Sequence, residues 1–156
     1  MTTDPGPKQS AVTAQRLGDA MKRLRARLRA ESGQHSVGLT LTQLAVLGSV
    51  VREGPVTAAR LATLEHVSPQ SIAQSLAVLK AAGLVHSEPD PQDGRRKLMS
   101  ADPSATQLID NLLAGRAAFL TRAIDRVVAA EERQDLEKAI VLLERLAAAD
   151  LSDGGI

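Results

Sequence analysis

The stretch from Ser68 to Ala101 leaves a folding chain few options. Ser68 can accept a hydrogen bond at a helix N-terminus, and Pro69 occupies the first helical position, where its missing N–H costs nothing. Ile72, Leu76 and Leu79 then fall on one helical face, and Gly83 supplies a stop. Leu84 to Glu88 and Arg95 to Ala101 follow as two short strands, joined by a loop containing Pro89, Asp90, Pro91, Asp93 and Gly94. The product is a polar-faced helix followed at once by a hairpin with Arg95, Arg96 and Lys97 on its outgoing side. Such a pair suits a body that lays one element in a DNA major groove and another against the adjacent backbone or minor groove.

The helix and the hairpin contribute different chemistry. Gln70, Ser71, Gln74 and Ser75 are expected on the face opposite Ile72. An isolated polar face usually just meets water; the basic hairpin beside it favours a contact surface. Gln pairs with adenine through two hydrogen bonds, whereas Ser discriminates poorly. The candidate DNA contacts are therefore Ser68, Gln70, Ser71, Gln74 and Ser75 on the helix, and Asp93, Arg95, Arg96 and Lys97 on the hairpin. Within the hairpin Glu88, Asp90 and Asp93 balance the three cations, so affinity depends on where the arginines point. Asp93 is expected either to orient an arginine or to terminate the turn.

Upstream, Thr57 can cap a short helix from Ala58 to about Glu65, with Leu61 and Leu64 inward. This helix and the next meet across His66-Val67, which is helix-turn-helix spacing. A further helix carries Leu41, Leu44, Leu47 and Val51, capped by Thr40 or Thr42 and ended by Gly54-Pro55. The first helix is expected from about Ser10, after a disordered start over residues 1–9, with Leu17, Met21, Leu24 and Leu28 as a narrow apolar seam. Its other faces bear Lys22, Arg23, Arg25, Arg27 and Arg29, a solvated face or a contact to phosphates or an acidic helix. Asp102 is expected to cap a long helix from Pro103, with an apolar stripe over roughly seven turns. Glu131 to Arg133 interrupts the stripe, and Leu136, Ile140, Leu143, Leu146 and Leu151 mark a final helix before a frayed end at 152–156.

The fold class that follows is mainly α with a small β-hairpin wing, in which residues 39–102 form a winged helix-turn-helix region. Residues 10–38 and 103–151 form a helical dimerisation region, because their seams exceed what the middle lobe could bury. A second copy is the economical partner, and its two-fold axis implies a pseudo-palindromic duplex site.

Composition narrows the alternatives. Phe119 is the sole aromatic residue, which argues against base-stacking sites for single strands or RNA. No cysteine is present, so a disulfide framework, a thiolate zinc site and thiol redox chemistry are excluded. His35, His66 and His86 lack the spacing of a zinc site. No phosphate loop, nucleophile elbow or His/Glu ligand pair points to an enzyme, and no cofactor or metal is expected. The net charge of +1 conceals an asymmetry: residues 1–100 carry 13 Lys/Arg against 8 Asp/Glu, and residues 101–156 carry 6 against 10. The basic part contains the reading unit, and the acidic helices are expected to lie away from phosphates. No secretion signal or membrane span is legible, and a cytoplasmic protein is expected.

From Leu41 to Ala101 the chain resembles the winged helix-turn-helix of MarR-type transcriptional regulators, and the layout of its helices extends the likeness to about residues 10–150. The residues that carry it are Thr57 to Ala62, Val67-Ser68-Pro69-Gln70-Ser71, Leu79 with Gly83-Leu84-Val85, and above all Asp90-Pro91-Gln92-Asp93-Gly94-Arg95-Arg96. The resemblance implies a dimer that binds operator DNA, usually as a repressor, with Asp93 and Arg95 matching the family's wing pair. It also implies a small phenolic or lipophilic ligand held between the dimer and DNA lobes; Phe119 and His35 are the only aromatic groups offered for stacking there, and the pocket residues are otherwise not legible. His86 and Ser87 stand where the family often has an arginine, and Ala101-Asp102 replaces its usual Leu-Thr. The rival reading is a dimeric helical module whose winged lobe binds protein, since fold alone does not decide function.

Overall fold

The computed structural model describes residues 7–150, which fall into two compact units divided between Ala117 and Ala118. In the first unit, helix α1 spans Pro7–Glu31, α2 Leu41–Glu53, α3 Ala58–Glu65 and α4 Pro69–Ala81, and α5 begins at Pro103 and continues to Val127. The second unit holds the end of α5, a 3₁₀ turn at Ala130–Glu132 and α6, Arg133–Ala147. The expected disorder of the first residues and fraying of 152–156 lie outside the described residues, except that residues 7–9 are helical rather than disordered. Leu151, assigned to the last helix, also lies outside them.

Local signals set most boundaries. Thr40 Oγ1 accepts from Gln43 N at 3.2 Å, and the Gln43 side chain returns a bond to Thr40 N at 2.9 Å, a reciprocal cap that selects Thr40 over Thr42. Thr57 Oγ1 caps α3 through Arg60 N, and Ser68 Oγ caps α4 through Ser71 N. Gly83, at φ 69°, makes the left-handed stop after α4. His66, at φ 52°, makes the same left-handed turn between α3 and α4 with a side chain that pays a steric cost there.

The sheet departs from a plain hairpin. Strand β2 spans Val85–Pro89 and β3 Lys97–Ala101, but β1, Val56–Thr57, pairs antiparallel with the other edge of β3, giving the order β1-β3-β2. Two residues are too few to show a strand period, so β1 has no sequence signature. Its pairing of Val56 with Met99 ties the start of α3 to the wing.

The core of the first unit is aliphatic. Val46, Leu47, Leu61, Ile72 and Leu79 are fully buried, and Val56, Val85 and Met99 close over them from the sheet. Ala105, with Leu108 and Ile109 packed alongside, brings the start of α5 into the same core. Close backbone contact is required at Gly54, where a Cβ would lie 2.5 Å from the Val50 carbonyl oxygen and 3.2 Å from that of Met99.

Candidate nucleic-acid interface

The start of α3, one side of α4 and the wing strand β3 surround a groove, lined by Thr57, Ala73, Ala77, Lys80, Arg96 and Lys97 among others. Of the expected contacts Arg96 and Lys97 line this groove, opposite Ala73, Ala77 and Lys80 of α4, whereas Gln70, Ser71, Gln74 and Arg95 are not among its lining residues. Gln70 and Gln74 are exposed on α4, and Ser71 is half-buried. Ser75 differs from expectation. It is 5% exposed and lies among Ile72, Leu76 and Leu79 on the buried side, so its hydroxyl is not part of the outer face. The reason is geometric: three residues from Ile72 and four from Leu79, Ser75 shares their stripe at 3.6 residues per turn. Ser68 is exposed, with its hydroxyl already accepting the Ser71 N–H.

The wing tip is organised by two aspartates. Asp90 Oδ1 accepts from Gln92 N at 2.8 Å, and Asp93 Oδ1 accepts from Arg95 N at 3.1 Å, each an aspartate closing its own turn. Asp93 Oδ2 also lies 3.5 Å from Arg96 Nε. Asp93 therefore both shapes the turn and holds an arginine, but the arginine is Arg96. Among the described residues the Arg95 guanidinium has no protein partner, and its side chain is exposed. Of the wing cations Arg95 is the one whose five donors are free for an outside acceptor.

At the base of the wing His86 Nδ1 is 2.8 Å from Asp102 Oδ1, and His86 Nε2 is 3.6 Å from Glu88 Oε1. The residue that stands in place of a family arginine is thus hydrogen-bonded to Asp102, with the Glu88 carboxylate nearby. Asp102 spends its side chain on His86 and supports the start of α5 with its backbone carbonyl, which accepts from Ala105 N at 2.9 Å and Thr106 N at 3.3 Å. Lys80, which the sequence did not single out, donates to Ser87 Oγ at 3.2 Å and joins Arg96 and Lys97 around the groove. Nothing in the local pattern of α4 marks Lys80; only the tertiary placing of the wing does.

Within this lobe a polar link through the buried Ser49 joins α2 to α3. The Ser49 hydroxyl, fully buried, donates to Glu65 Oε1 and accepts from Arg52 Nη2 at 2.9 Å. Among the described residues no helix is long and apolar enough to cross a membrane.

A helix-turn-helix whose second helix leads directly into a β-hairpin is a winged helix-turn-helix, and its presented surface is a neutral polar helix beside a basic wing. Comparison with known proteins agrees. A model of the MarR family matches residues 37–96. The chain is 32% identical over 136 residues to an HTH-type transcriptional regulator of Mycobacterium leprae, covering 87% of this chain and 93% of that one. A crystal structure of a transcriptional regulator from Pseudomonas aeruginosa superimposes with a TM-score of 0.77 at 30% identity, over 91% of this chain and 98% of the other. A fold-level match is Bordetella bronchiseptica BpsR, with a TM-score of 0.62 at 22% identity over 85% and 94% of the two chains; its structure concerns regulation of its DNA binding by 6-hydroxynicotinic acid. The chain belongs to the MarR family: it is a DNA-binding transcriptional regulator and not an enzyme.

Proposed function

We propose that the protein is a homodimeric, sequence-specific regulator of duplex DNA that acts as a repressor. Gln70 and Gln74 read base edges, Ser68 and Ser71 support them, and Arg95 leads the wing contacts with Arg96 and Lys97. The observation that carries this reading is the joining of α4 and the basic wing around one groove, with Gln74 exposed and Arg95 unpaired among the described residues. A neutral helix reads softly, so affinity rests on the wing cations and on having two copies correctly spaced.

Dimerisation is supported by apolar surface that the chain leaves uncovered. Met21 and Leu24 on α1, and Ile140, Leu143 and Leu146 on α6, are each at least 39% exposed. Residues 10–38 and 103–151 supply the dimer contacts and residues 39–102 the reading lobe, with Ala105 at the start of α5 built into the lobe's own core. A small phenolic or lipophilic effector tunes the affinity, by analogy with the ligand regulation stated for BpsR. A protein bound across an operator excludes the transcription machinery, which makes repression the simplest output.

Footprinting the purified protein on fragments of its own genome tests the reading, beginning with the DNA beside its coding sequence. Protection of an inverted repeat is expected, and no protected site at low salt would refute it. Arg95→Ala is expected to weaken binding across many sequences and to reduce the log–log salt slope by about 0.9.

A further inference from the structure

Residues of α1, α2 and α5 line a partly open cavity of about 390 Å³, with Glu65 at the end of α3 on its wall. That volume is within the usual range for a small-molecule site, about 300–1,000 Å³. The wall has two chemistries. Leu28, Leu41, Leu44, Ile109, Leu112 and Leu113 make an aliphatic side with no aromatic ring. Arg25, Arg29, Arg52 and Arg116 also line it, four basic residues against one acidic residue, Glu65. Such an excess of charge in a space partly shielded from water favours an anion.

The hydrogen bonds show which cations are available. Arg52 is occupied by Ser49 and lies 3.7 Å from Glu53. Arg116 has only a long bond, 3.5 Å, to the buried Gln34. Arg25 and Arg29 have no carboxylate partner among the described residues, in contrast to Arg27, which pairs with Glu31 at 3.2 Å. Arg29 Nε is moreover fully buried with no acceptor. A buried donor without a partner is unfavourable, more so when charged, unless something fills the role. Guanidinium groups match a carboxylate in two-pronged fashion.

We propose that this cavity binds an aliphatic carboxylate, with Arg29, Arg25 and Arg116 holding the acid group and the leucine side burying a medium-length chain. The ligand class differs from the phenolic one because the wall offers no ring on which to stack. The proposal rests on the effector reading only for its consequence: Glu65 ends α3, so an occupant touches the helix-turn-helix directly.

Calorimetry on the full chain without DNA tests it, using octanoate, 1-octanol and benzoate at submillimolar concentration. Octanoate is expected to bind at least tenfold more tightly than either of the others. Arg29→Gln is expected to weaken octanoate about tenfold or more, the scale of one charged hydrogen bond, and to leave octanol unchanged. Arg116→Gln serves as the second variant, and far-UV circular dichroism reports that each is folded. Octanol or benzoate binding as tightly as octanoate, no octanoate binding, or wild-type octanoate affinity in both folded variants would overturn the proposal. Octanoate that binds without changing DNA protection would remove the effector reading and leave the site standing.

Discussion

Replacing Ser49 with alanine is expected to lower the stability of the winged lobe by about 2 kcal/mol, by unfastening α2 from α3. The magnitude follows from the surroundings of the hydroxyl. Ser49 is fully buried and bonds to two charged groups, Glu65 and Arg52, and a hydrogen bond to a charged group contributes about 1.5–3 kcal/mol. Both bonds should not be counted. The Arg52 side chain is 64% exposed and keeps water and Glu53 as alternatives, so its loss costs little. Glu65 is half-buried, and Ser49 is its side-chain donor, so that one bond sets the scale. For a domain of about 150 residues the corresponding drop in Tm is about 4–8 °C. The chain has no Trp or Tyr, so urea and thermal unfolding are best followed by far-UV circular dichroism. Glu65→Gln retains an acceptor oxygen and should lose less than half as much. A cycle of Ser49→Ala with Glu65→Ala should show a coupling of about 1–2 kcal/mol. A Ser49→Ala protein within about 0.5 kcal/mol of wild type, the ordinary range of surface changes, would refute the reasoning, as would additive single variants.

Three further outcomes follow from particular placements. Gln74→Ala should alter base preference on a footprinted site, whereas Ser75→Ala, one residue on but buried, should leave affinity and preference unchanged in a fluorescence anisotropy titration; equal losses would mean that α4 presents a different face. Gly54→Ala forces a Cβ against the Val50 and Met99 carbonyl oxygens, both backbone atoms, and should destabilise by about 1–3 kcal/mol in urea unfolding; an unchanged midpoint would contradict that contact. Leu143→Lys with Leu146→Lys, at positions 40% and 61% exposed, should give a folded protein with half the wild-type mass by light scattering and weaker operator binding; an unchanged mass would place the dimer contact elsewhere.

Much of this protein was legible along the chain because its signals are local. Thr57 and Ser68 cap the helices they precede, a threonine at 40 or 42 caps α2, Gly83 ends α4, and the long α5 and the break before α6 follow from apolar spacing. The wing was visible through its aspartates and glycine, and the family through the same residues. Each of these depends on neighbours within one or two helical turns, which the sequence displays directly.

What escaped the sequence depends on which residues meet across long separations. Ser75 looked like its neighbours Gln74 and Ser71, and only packing against the core put its hydroxyl inside. Strand β1 exists because β3 offers it an edge, not because Val56 and Thr57 carry a strand pattern. Asp93 holds Arg96 and leaves Arg95 free, a division that turn geometry makes and charge counting cannot. Arg25, Arg29, Arg52 and Arg116 lie on three helices, so their convergence on one cavity is a property of helix packing alone. The sequence by itself determined the main helices and the hairpin, the caps at Thr57 and Ser68, and the helix-turn-helix order. The tertiary structure decided which polar groups face outward, which are buried, and where unpaired charge collects, because those depend on contacts between residues the chain keeps far apart.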